Sequence, residues 1–132
     1  MAKTFRQMVA EARAEVPAIS PAEAKAQLAA DPNTLVLDVR DAAEIQANGR
    51  IPGSHNVSLG MVPVRADQEL PEAARDPKLQ DRSRPIITTC AAGGQASLAA
   101  KLLKDMGFTN VKILDGGTAG WKNAGYEIEK PA

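Results

Sequence analysis

Residues 88–98 read TTCAAGGQASL, and Cys90 in that stretch is the only cysteine of the chain. It follows an apolar, β-branched run and precedes a segment of helical composition. Between the two stand Ala91, Ala92, Gly93, Gly94 and Gln95. Small residues and paired glycines let a backbone curl so that successive N–H groups point inward, and such a nest beside a helix N-terminus holds an anion. The anion is either a bound group or the Cys90 thiolate itself, since the donors and the helix dipole both favour negative charge there. A cysteine serving only as a small core hydrophobe has no need of that loop. The pattern therefore points to a nucleophilic thiol.

Spacing separates the available chemistries. Phosphate monoester hydrolysis through a cysteine needs an arginine fork on the phosphoryl oxygens, in a loop of cysteine, five residues, arginine. Ala96 stands at that position, and the first basic residue after Cys90 is Lys101, so a phosphatase is disfavoured. A cysteine–histidine dyad would have to use His55, the only histidine, as its base. Its IPGSHNV setting reads instead as a surface turn entering a strand. Asp38 and Arg40 close an earlier apolar run and so fall near the same sheet edge as Cys90. Arg40 either lends charge to a pocket or pairs with Asp38 to tie loops together. Arg65 is a further candidate for the pocket border. Asp115-Gly116-Gly117 reads as a tight turn, Trp121 as core, and Met61 and Met106 as apolar fill.

The elements that must position these residues alternate. Phe5, Met8, Val9, Ala12 and Val16 fall at helical spacing, which predicts an amphipathic helix over 3–15 ended by Pro17. Ser20, Pro21 and Glu23 supply an N-cap, a first-turn proline and a capping box for a helix running to about Ala30. TLVLDVR, the segment around His55 to Val57, RPIITTC and VKILDGG read as strands. DAAEIQANG, ASLAAKLLKDMGF and TAGWKNAG read as helices, the first capped by Asp41 and ended by Asn48-Gly49. Strand and helix in alternation with short connections predict an α/β fold, an open parallel sheet with helices on both faces. Residues 60–84, with Pro63, Pro71 and Pro77, read as a long surface excursion with one or two helical turns.

Composition narrows the function classes. The formal net charge is zero and the aromatics are only Phe5, Phe108, Trp121 and Tyr126. That removes both the basic footprint and the stacking platform of a nucleic-acid binder. A single cysteine excludes an internal disulfide, a two-cysteine redox motif and a four-thiolate zinc site, so no metal is expected. The first sixteen residues are interrupted by Lys3, Arg6, Glu11, Arg13 and Glu15, and no run suits a membrane span. A cytoplasmic protein without membrane contact is the expectation.

Taken together, LVLDVRDAAEIQANGRIPGSHNVSL and IITTCAAGGQASLAAKLLKDMGFTNVKILDGGTAGW resemble the rhodanese-like sulfurtransferase family, in order over residues 20–128. The resemblance implies a five-stranded parallel sheet in a domain spanning 19–132, preceded by a helical extension over 1–18. It implies transfer of sulfane sulfur through a persulfide on Cys90, cradled by the N–H groups of residues 91–95, without a cofactor. Partners are then a small donor such as thiosulfate or a persulfide, and a thiol or cyanide acceptor. The family loop commonly reads Cys-x-x-Gly-x-Arg; here Gly93 matches, but Gln95 replaces the arginine, which weakens docking of a dianion such as thiosulfate. Arg50 stands where histidine is frequent. A weakly active binding or regulatory module and a thiol redox sensor are the competing readings. The apolar stripe of the first helix must be buried on its own domain or against a second copy, as a monomer or a homodimer.

Overall fold

The computed structural model describes residues 2–130. Chain order gives α1 (Phe5–Glu15), β1 (Ala18–Ile19), α2 (Pro21–Ala30), β2 (Leu35–Asp38), α3 (Ala42–Asn48), β3 (His55–Asn56), α4 (Val62–Ala66), β4 (Ile86–Thr89), α5 (Gly94–Asp105), β5 (Val111–Leu114) and α6 (Gly117–Asn123). The five strands form one sheet in the order β1-β5-β4-β2-β3, every pair parallel. The expected fold class is therefore the observed one. β1 is the strand that residue patterns did not reveal.

Period-two alternation puts successive side chains of a strand on opposite faces, and β2 shows the result. Leu35 and Leu37 join Ile86, Leu103 and Ile113 in one core, which α4 and α5 cover. Val36 joins Ile87, Leu114, Ala24 and Trp121 in a second core on the other face, under α2 and α6. Trp121 is core, as expected.

The cap residues act as the sequence predicts. Ser20 accepts from the Glu23 N–H while the Glu23 carboxylate accepts from the Ser20 N–H, and Pro21 opens α2. Thr4 and Gln7 make the same reciprocal pair for α1. Asp41 occupies the N-cap of α3 but makes no side-chain cap bond.

Three expectations differ from the structure. The stripe of α1 is buried at Ala12 and Val16, whereas Phe5 and Met8 are about half exposed. Only the end of α1 nearest β1 can sink into the domain, because the helix lies on α5 rather than on the sheet. Met61 is exposed rather than apolar fill. The 60–84 excursion is not all surface: Val62, Ala66 and Leu79 are fully buried in the first core, held by α4 and two 3-10 turns.

Candidate active site

Cys90 leaves the carboxyl end of β4, where β4 runs beside β2 with Thr89 opposite Asp38. From β2 the chain steps to β3 on one side, and from β4 it steps to β5 on the other. Strand order reverses between them, which is where open parallel sheets bind ligands.

The loop closes on the sulfur. Gly93 takes φ 108°, in the left-handed region that an L side chain resists, and its N–H reaches Cys90 Sγ at 3.0 Å. The Ala96 N–H, from the first turn of α5, reaches the same sulfur at 3.3 Å. Two preorganised donors on one sulfur stabilise negative charge there. The thiol itself is 2% exposed. Ala91, Ala92 and Gln95 are exposed, Gly94 is half-buried, and the Gln95 side chain makes no hydrogen bond among the described residues.

The residues expected near the site fall into different places. Arg40 is buried and forked onto Asp38, with Nε at 3.0 Å and Nη2 at 2.6 Å, and Nη2 also donates to Gly49 O. Asn56 donates to the carbonyls of both residues. The Asp38 hydrogen bonds, against the cost of burial, hold the Arg40 guanidinium even more firmly protonated than usual. Arg40 also lines a cavity of about 210 Å³ that reaches Ala91, Thr118 and Lys122. Arg65 donates to Ala74 O within the excursion. His55 pairs with Asp76, not with Cys90.

Two contributors escaped the sequence reading. Ala96 supplies a sulfur-facing N–H one residue beyond the expected 91–95 cradle; it is the third residue of α5, where a helix N-terminus still has a free donor. Phe5 lies over Gly94, so closely that a Cβ there would sit 2.7 Å from the ring. The paired glycines carried that signal, but α1 gave no sign of where it lands.

Comparison with known proteins adds the lineage. The family model described as "Rhodanese-like domain" matches residues 20–124. The chain belongs to this family. The thiosulfate sulfurtransferase GlpE of Stutzerimonas stutzeri is 33% identical over 89 residues, 67% of this chain and 71% of that protein. The polysulfide-sulfur transferase homodimer of Wolinella succinogenes has 26% identity and a TM-score of 0.75, covering 97% of this chain and 88% of that one. A Rhodopseudomonas palustris structure, described as a protein of unknown function and possible tyrosine phosphatase, has 31% identity and a TM-score of 0.89 over 98% and 96% of the two chains. Two sulfurtransferase relatives are matched over only 27% and 18% of their own lengths. At family level this is a rhodanese-like domain, which several relatives described as sulfurtransferases share; α1 lies outside the matched region.

Proposed function

We propose that the chain carries sulfane sulfur as a persulfide on Cys90. The observation that supports this reading is the convergence of the Gly93 and Ala96 N–H groups on Sγ. In the first half-reaction the Cys90 thiolate attacks the outer sulfur of a donor. The donor's S–S bond breaks and its electron pair leaves with the remainder, as sulfite from thiosulfate or as a thiolate from a persulfide. In the second, an acceptor thiolate or cyanide attacks the outer sulfur of Cys90–S–S⁻ and the Cys90 thiolate departs. No net electrons are gained, and neither a metal nor an external base is required. With Gln95 in place of a cation, a persulfide or a neutral polysulfane is a better donor than the thiosulfate dianion. A single free thiol with no disulfide partner suits a reducing compartment such as the cytoplasm.

The description of the Rhodopseudomonas neighbour raises phosphatase chemistry. Here Ala96 occupies the position of the required arginine, and its N–H is spent on the sulfur. The deciding experiment is intact-mass measurement after exposure to thiosulfate, polysulfide and a small-molecule persulfide, with Cys90→Ser alongside. The expected result is a gain of one sulfur that Cys90→Ser abolishes. No adduct with any donor sinks the proposal, and hydrolysis of an aryl phosphate by the same sample would replace it.

A further inference from the structure

The loop after Cys90 can work only if its N–H groups face the sulfur and its carbonyl oxygens do not. A trans peptide points its C=O and N–H in opposite directions, so fixing one fixes the other. Four carbonyls in and around this loop are held from outside it. Cys90 O accepts from the Thr118 N–H at 2.8 Å, and Ala91 O accepts from the Ala119 N–H at 3.0 Å. Gly93 O accepts from the Ser97 hydroxyl at 2.7 Å, and Ala96 O from the Thr88 hydroxyl at 2.8 Å. The Thr118 hydroxyl also bonds that of Thr89, just before the cysteine. Among the described residues the N–H groups of Ala91, Ala92, Gly94 and Gln95 have no acceptor, so they are left for the site.

We infer that the first turn of α6 is a positioning device for Cys90: Thr118 and Ala119 turn the Cys90 and Ala91 carbonyls away from the pocket and thereby aim the Ala91 and Ala92 N–H groups into it. Gly117 makes the approach possible. A Cβ there would stand 2.8 Å from Cys90 O, Ala91 O and Gly93 N, and its φ of 62° already disfavours a side chain. Gly117, Thr118 and Ala119 therefore act through the loop rather than on any substrate. The benefit to a persulfide rests on the function proposed above; the orientation of the loop does not.

The test compares alkylation of Cys90 by iodoacetate, an anion, with that by iodoacetamide, its neutral analogue. Their rate ratio cancels the reactivity of the thiol and reports how well the cradle receives negative charge. The wild type should exceed free cysteine in this ratio. Gly117→Ala crowds the loop, and Ala119→Pro deletes one clamp donor at a first-turn position where proline is tolerated. Each should lower the ratio and slow persulfide transfer by roughly tenfold, less than the ~10²–10³ seen when an oxyanion donor is lost outright. Ala119→Gly keeps the N–H and should behave as wild type. If Gly117→Ala does not fold, Ala119→Pro decides. A wild-type ratio in the folded variants, or no excess over free cysteine in the wild type, overturns the inference. A wild type that takes no sulfur, with the ratios changing as stated, overturns the sulfurtransferase reading and leaves the positioning role standing.

Discussion

Gln95 lies in the first turn of α5, exposed, its side chain without a hydrogen bond among the described residues, so replacing it changes the pocket without disturbing the frame. Gln95→Arg should lower the KM for thiosulfate roughly tenfold or more, the effect of one charge-assisted hydrogen bond of about 1.5 kcal/mol. Steady-state kinetics with thiosulfate against a neutral polysulfane would show the gain confined to the dianion. Asp38 is the opposite kind of residue, fully buried with its charge matched by Arg40. Asp38→Ala strands a buried guanidinium and should cost about 3–5 kcal/mol in urea denaturation, while Asp38→Ala with Arg40→Met should recover much of it. Asp76 gives the protein an acid-sensitive joint. Burial pushes its carboxyl up, but bonds from His55 and the Lys78 N–H, with the charges of both, outweigh this and hold it below the ordinary value. A lowered native value means the unfolded chain binds more protons as pH falls. The contribution is then complete above the unfolded value of about 3.9 and is lost as pH drops through the native one. Thermal melts over roughly pH 5 to 3 should fall more steeply for the wild type than for Asp76→Asn.

At the scale of elements, the 60–84 excursion behaves as core wherever Leu79 is concerned. Leu79→Ala should destabilise by about 2–5 kcal/mol, the range for a truncated buried leucine, read as a shift in urea midpoint at constant slope. Nothing local announced that burial, since the segment is broken by three prolines, Pro63, Pro71 and Pro77, and has no period for a face to follow. Elements whose signals are local were legible. Ser20, Pro21 and Glu23 specify the start of α2 among themselves, and Val36 between Leu35 and Leu37 specifies a strand buried on both faces. β1 was not legible, because two residues carry no period and its partner β5 lies near the far end of the chain. The same limit applies to the site. Cys90 and Gly93 stood out by type and spacing, whereas the contribution of α6 depends on a packing distance that no spacing encodes. Helical periodicity showed that α1 has an apolar stripe but not how far along it Phe5 and Met8 emerge into water.

For the whole molecule, the sheet order is what brings the pieces together. β4 and β2 at its centre set Cys90 beside Asp38, α6 backs the loop on one side, and α1 crosses its front at Gly94. The order also has a temporal side. During synthesis α1 and β1 emerge first, yet β1 hydrogen-bonds only to β5 and α1 lies chiefly on α5. These two elements must therefore wait in water, apolar stripe and all, until α5 and β5 have left the ribosome. Until then β4 presents an open edge of the kind that invites pairing with other chains. The loop around Cys90 acquires its backing from α6 later still, so a growing chain holds the thiol before it holds the helix that clamps the loop behind it.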